Sequence, residues 1–177
     1  MTSDQLLDAM LATTYAKADL LRRLRLIREY LEQRFFTPGE KKDLSQFLAA
    51  QNVPADEQTL IRGWGDGFFQ SFTKDNAYDY LGQMTTRVKD LPTVNMYVPI
   101  PFDSAQSTKV GQWVRANVDR EALVEFHVET SAFGGCAFAW NGVYYDYSLK
   151  HYMHKKIDAI RKVLDGYVAA PPTETAT

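Results

Sequence analysis

His151 and His154 stand three residues apart, with Asp146 just upstream and His127 in the same stretch. Imidazoles and a carboxylate at such spacing suggest either a metal centre or acid–base work. A metal needs these side chains to converge on one point. His127 instead alternates with Val124, Phe126 and Val128 in a strand pattern, which turns it away from the face those residues bury. Asp146 and His151 would make an acid–base pair, but no nucleophile or oxyanion donor accompanies them. Their expected roles are local: Asp146 and Ser148 satisfy backbone amides where a hairpin meets a helix. No catalytic, cofactor-binding or metal-binding residue is assigned.

Other patterns carry less chemistry than they suggest. Gly65-Asp66-Gly67 follows no strand and lacks the third glycine of a nucleotide fingerprint. Cys136 is the single cysteine, so neither an intramolecular disulfide nor a cysteine metal cluster can form, and it reads as a small buried hydrophobe. Tyr144, Tyr145, Tyr147 and Tyr152 are dense enough to stack bases, but they lack the basic surround that phosphate contacts require. Arg22, Arg23, Arg25 and Arg28 form a solvated face, or else a dock for an acidic partner helix. The aromatic segment 64–72, with Trp64, Phe68 and Phe69, reads as core with part of it open as a groove.

Charge narrows the function classes. Lys and Arg number 20 against 22 Asp and Glu, for a formal net charge of −2. Residues 1–91 hold 12 against 13 and residues 92–177 hold 8 against 9, so neither part is a basic module. Bulk attraction to nucleic acid or anionic lipid is not signalled. No run reaches the ~20 apolar residues of a membrane span. The N-terminus carries no secretory pattern. A soluble protein of a reducing, cytosolic space is expected.

The elements that hold these residues follow from periodicity. Residues 4–35 read as one amphipathic helix capped by Ser3 or Asp4, with a bend at Thr13-Thr14. Thr37-Pro38 starts a second helix, Asp56 a third, and residues 75–90 form a last short one, giving four or five helices in a bundle over 1–91. After Leu91-Pro92 the period becomes that of a strand, Val94, Met96 and Val98. Asp103 or Ser104 caps a helix to Asn117, with Val110, Trp113, Val114 and Val118 on its buried face. Val124, Phe126 and Val128 follow as a strand. Asn141-Gly142 then closes a two-residue hairpin, pairing Trp140 with Val143, Phe138 with Tyr145, and Cys136 with Tyr147. Those six form a core face, which a helix from Ser148 to Gly166 covers with Leu149, Met153, Ile157, Ile160 and Leu164. The fold class is an N-terminal all-α bundle followed by an α+β domain over 92–167, a small sheet with a hairpin covered by two helices. Residues 168–177 read as a disordered tail.

This order of features resembles the delta subunit of F-type ATP synthases, the bacterial counterpart of the mitochondrial oligomycin-sensitivity-conferring protein. The resemblance covers about residues 92–165: PTVNMYVPIPF, SAQSTKVGQWVRANV, ALVEFHVETSAFGG, then CAFAWNGVYYDYSLKHYMHKKIDAIRKVL. Gly134, Gly135, Asp146 and Ser148 stand at the family's motif positions, around the Asn141-Gly142 turn. Tyr15-Ala16-Lys17-Ala18 and Glu40-Lys41-Lys42 look like its N-terminal motifs. The family's bundle has six helices, more than periodicity places here.

The resemblance implies a non-catalytic stator subunit without a cofactor. It would join the catalytic head to the peripheral stalk and resist the torque of rotation. Its N-terminal helices would hold those of the alpha subunits, and its C-terminal domain the b-subunit helices. Arg22, Arg25, Trp64, Phe68 and Phe69 are the candidate partner contacts. The protein would be cytoplasmic, bound to the membrane only through the proton-translocating complex, and would bind no nucleic acid. The alternative is a freestanding adaptor that takes helical peptides or single-stranded nucleic acid on its aromatic hairpin.

Overall fold

The computed structural model describes residues 1–37, 39 and 43–169; Pro38, Glu40-Lys41-Lys42 and residues 170–177 lie outside the described residues. Among the described residues, six helices precede the sheet: α1 (Ser3–Leu11), α2 (Lys17–Phe35), α3 (Leu44–Ala50), α4 (Ala55–Arg62), α5 (Asp66–Gln70) and α6 (Ala77–Asp90). Two of the predicted helices are split. The helix expected over 4–35 ends at Leu11, and the chain is extended at Ala16, which bridges in parallel to Val124. Thr13-Thr14 therefore marks a break rather than a bend. Thr2, not Ser3 or Asp4, caps α1 through a reciprocal pair with Gln5. The third predicted helix divides at Gly65, whose φ of +80° only glycine adopts freely. Asp43 caps α3 with Gln46 in a second such pair.

The helices share one core. Leu6, Leu7, Met10, Leu20, Ile27, Leu31, Leu48, Ile61, Phe68, Met84 and Val88 are all but fully buried. Each such side chain contributes about 1.5–3 kcal/mol on burial. Two charges are buried with them. The Arg23 guanidinium donates to Glu57 Oε1 at 3.3 Å and to the Thr14 hydroxyl. Arg22 reaches the same carboxylate from the surface at 2.9 Å.

After α6 come β1 (Thr93–Val98), α7 (Ser104–Asn117), β2 (Leu123–Val128), β3 (Gly135–Trp140), β4 (Val143–Ser148), α8 (Leu149–Lys155) and α9 (Ile157–Ala169). The result is a mixed four-stranded sheet with helices packed on it, in the order β2-β1-β3-β4. β1 pairs with β3, and β3 with β4, antiparallel. β2 runs parallel to β1: Leu123 N donates to Pro92 O and Glu129 N to Val98 O, the same offset at both ends. A parallel neighbour requires a crossover, which α7 supplies. Asp103 caps α7 as expected. The hairpin register is the predicted one, Trp140↔Val143 through Cys136↔Tyr147.

The compact units do not follow the chain boundary at residues 91–92. Met1–Val94 groups with Phe102–Glu125, and Asn95–Pro101 groups with Phe126 onward. In the first unit α7 is fastened to the link between α1 and α2. Arg115 donates to the carbonyls of Leu11, Thr14 and Ala122, and its guanidinium lies 4.6 Å from the Tyr15 ring centre. Burial lowers the Arg115 pKa from its ordinary value, against a smaller opposing effect of Tyr15. The face of α7 that packs is Gly111 and Val114; Trp113, expected there, is 60% exposed, and Val118 is exposed as well.

In the second unit the expected covering helix is two helices, broken at Lys156, and it continues through Gly166 to Ala169. α8 lies against β4 and the short 3-10 turn Thr130–Ala132, while α9 meets α8. No side chain of α8 is buried, and Leu149, Met153, Ile157 and Leu164 are exposed. The face expected as core is correspondingly open: Val143, Tyr145 and Tyr147 are exposed, and Cys136, Phe138 and Trp140 half-buried.

Candidate partner-binding site

The motif residues of the C-terminal part meet at one junction. Asn141 and Gly142 have φ of 49° and 76°, as a type I′ turn requires. β4 therefore returns along β3 and brings Ser148 opposite Gly135. Gly135 has φ of +73°, and a Cβ there would lie 2.3 Å from the Tyr147 carbonyl oxygen. Both conformation and space demand glycine. Gly134 differs, since a Cβ there would make ordinary contact with Leu149 at 3.8 Å. Its carbonyl accepts from Leu149 N at 2.9 Å and so ties the start of α8 to the β3 entry.

Asp146 and Ser148 do what was expected of them. Asp146 Oδ1 accepts from Ser148 N at 2.8 Å, and Ser148 Oγ accepts from His151 N at 3.2 Å as the α8 cap. The hydroxyl and amide of Ser148 hold the Asp146 carboxyl below its ordinary pKa, helped by His151 and Lys150. His151 Nδ1 stands 3.9 Å from Asp146 Oδ2, both partly in water. Neighbouring Glu129 is held low in the same way by Ser131.

The histidines do not converge. His127 Nε2 lies 3.1 Å from Asn95 Oδ1, and its ring stacks on Tyr97. His154 Nδ1 lies against its own helix at Lys150 O. Among the described residues no group of three or more His, Cys, Asp or Glu side chains could hold a metal ion. No helix of the described residues is long and apolar enough to cross a membrane.

Apolar side chains are exposed on both units. In the first unit a groove of about 390 Å³ lies between α2 and α6, with Leu21, Leu24, Tyr78 and Leu81 lining it and Arg25 and Arg28 among its walls. Arg28 lies 5.8 Å over the Tyr78 ring. Of the candidate partner contacts, Arg25 belongs to this groove. Arg22 is turned to Asp19 and Glu57. Phe68 and Phe69 are in the core, with Phe68 1% exposed, while Phe69 also lines, with Tyr30, Gly65, Asp66 and Gln70, a cavity of about 600 Å³. Trp64 is half-buried and donates to the Thr13 hydroxyl. Sequence reasoning missed the groove because Leu21 and Tyr78 were read only as periodic members of helices. In the second unit Val143, Tyr145 and Tyr147 of β4, Leu149 and Met153 of α8, and Leu164 of α9 are exposed as well.

The chain matches no protein-family model and no curated protein.

Proposed function

We propose that this chain is a non-catalytic peripheral-stalk subunit of an F-type ATP synthase, joining alpha-subunit helices of the catalytic head to b-subunit helices of the stalk. The observation that carries the reading is the junction of Gly135, Asn141-Gly142, Asp146 and Ser148. The motif residues on which the resemblance rests are needed there for geometry, at the point where the hairpin enters the terminal helices. Among the described residues six helices precede the sheet, the number expected of the family, which supports it further. So do two features suited to helices: the groove between α2 and α6, and the exposed apolar side chains of α8 and α9. The chain then catalyses nothing, needs no cofactor, and reaches the membrane only through its partners.

The test is co-expression with the alpha and b subunits of the same genome. Co-purification of all three is expected. An alpha-subunit N-terminal peptide should bind, and Tyr78→Ala with Arg25→Glu should weaken it about tenfold or more. An affinity no better than that of a scrambled helix counts against the reading.

A second reading is favoured by the exposure of Tyr144, Tyr145 and Tyr147 on the hairpin. These could stack bases in a single-stranded nucleic-acid adaptor. Glu129 and Asp146 beside Tyr144 oppose it, since they repel phosphate. A mobility shift with single-stranded RNA that weakens with salt is its signature, and no shift at low salt removes it.

A further inference from the structure

β4 is an outer strand of the sheet. A two-residue turn makes Trp140 and Val143 a hydrogen-bonded pair, and alternate pairs follow it, Phe138 with Tyr145 and Cys136 with Tyr147. The amides and carbonyls of Tyr144 and Asp146 therefore point out of the sheet. The chain keeps this alternation into α8: Leu149 N donates inward to Gly134 O, while Ser148 N turns to Asp146 Oδ1.

The two edges of the sheet differ. At β2, Val124 N donates to Tyr15 O, and Ala16 bridges alongside. At β4, none of the described residues pairs with the outer side. Edge strands are ordinarily guarded by lysine, proline or a bulge. β4 reads Val-Tyr-Tyr-Asp-Tyr-Ser and runs in unbroken register with β3, so it has none of these. Val143, Tyr144, Tyr145 and Tyr147 are all exposed on it.

This strand is complementary to itself. Antiparallel pairing about a two-fold axis at Tyr145 sets Tyr144 opposite Asp146 of a second copy, and Val143 opposite Tyr147. Tyr144 and Asp146 carry the outward backbone groups, so each such pair exchanges both of its hydrogen bonds. Each carboxylate then faces a neutral phenol. An axis at Asp146 would instead oppose two carboxylates, which is destabilising, and would set Tyr144 against Ser148, whose amide is already taken. On the other face Tyr145 meets its own copy, each ring stacked on Phe138 at 4.9 Å. Pairing of this kind uses the same edge on both chains, so it closes at two copies and does not grow into a filament.

We infer that the outer edge of β4 is a self-association site, at which two copies of this chain join their sheets antiparallel about Tyr145. The inference goes beyond the stator reading and does not rest on it. So short an edge buries less than the about 1,200–2,000 Å² of a stable interface, which makes the dimer concentration-dependent.

The test is sedimentation of the full chain from low micromolar to near-millimolar concentration. The mass should rise from 20.2 kDa towards twice that and stop there. Tyr144→Pro removes an outward amide that β3 does not use, and should leave a monomer with the hairpin intact. Tyr145→Lys and Tyr145→Glu should each be monomeric alone, because like charges oppose across the axis, and should form a mixed dimer when combined. A variant that merely misfolds would not be rescued in this way. A wild-type chain that stays monomeric, a dimer that survives Tyr144→Pro, or a failure of the mixed pair would each overturn the proposal. So would protection of the Tyr144 and Asp146 amides from exchange only when single-stranded RNA or phosphatidylglycerol vesicles are added. A monomer that still co-purifies with alpha and b subunits overturns this inference and keeps the stator reading; a dimer that captures neither does the reverse.

Discussion

Gly111 and Tyr15 touch so closely that a Cβ added to the glycine would lie 2.2 Å from the tyrosine Cβ. That distance brings α7 against the link between α1 and α2, and it leaves no flexible atom to yield. Gly111→Ala therefore sets two effects against each other. Alanine in a helix interior gains about 1 kcal/mol over glycine. Overpacking against a Cβ costs about 1–3 kcal/mol. The clash should win, and urea unfolding should show a lower midpoint. An unchanged or raised midpoint would mean that α7 has room to move.

Arg115 offers a sharper probe of the same contact. Three backbone carbonyls accept from it, at Leu11, Thr14 and Ala122. Arg115→Met keeps length and loses all three donors. A loss of about 2–4 kcal/mol is expected, from the acceptors left unsatisfied. Hydrogen exchange should quicken at Val124, whose amide donates to Tyr15 O at 2.9 Å. Exchange there that stays as slow as in wild type would count against the link.

Glu57 is 5% exposed and takes both Arg22 and Arg23. Glu57→Gln leaves the buried Arg23 without a countercharge. Breaking a buried pair from one side costs about 3–5 kcal/mol. Exchanging Glu57 and Arg23 together for apolar residues of like size should cost less than Glu57→Gln alone. Thermal melts of the two variants in the reverse order would reject this account.

The paired glycines separate on inspection. Gly135→Ala meets a carbonyl oxygen and an unfavourable φ, and should cost more than about 2 kcal/mol. Gly134→Ala should be close to neutral. Equal losses from both would show that the pair acts as a sequence motif for a reason other than the contact with Tyr147.

Asp146 gives the pH dependence. Its folded pKa lies below the ordinary value of 3.8, so the unfolded chain binds the proton more readily. Its contribution is fully present well above that ordinary value. It weakens as the pH falls through it, and is gone once the pH passes below the folded pKa. Asp146→Asn should therefore flatten the acid limb of a stability-versus-pH curve and change little of its shape near neutrality. A steeper acid limb in the variant would reverse the sign argued here.

Local chemistry was legible in the sequence wherever it was sufficient by itself. Pro92, the Asp103 cap and Asn141-Gly142 each act within a few residues, and β1, α7 and the hairpin register came out as read. Contacts made across the chain were not legible. Nothing near Arg115 announces that its acceptors are Leu11 and Thr14, and nothing near Glu57 announces Arg23. Thr13-Thr14 signalled weakness in a helix, but the extended link it opens depends on pairing with Val124. Periodicity also misled at the C-terminus. The apolar stripe of α9 is real, yet a stripe states only that something covers it. The sheet was assumed to be that cover. The groove between α2 and α6 escaped notice for the opposite reason, because leucines that line an opening have the same spacing as leucines that fill a core.

The attachment of α7 to the α1–α2 link bears on how the protein is made. During translation Leu11 and Thr14 emerge long before Arg115, and Tyr15 before Val124, so the first helices appear while their last acceptors still lack donors. A ribosome stalled after Leu91 would hold a loosened nascent chain, and that chain should tighten only once the polypeptide through Glu125 has cleared the exit tunnel.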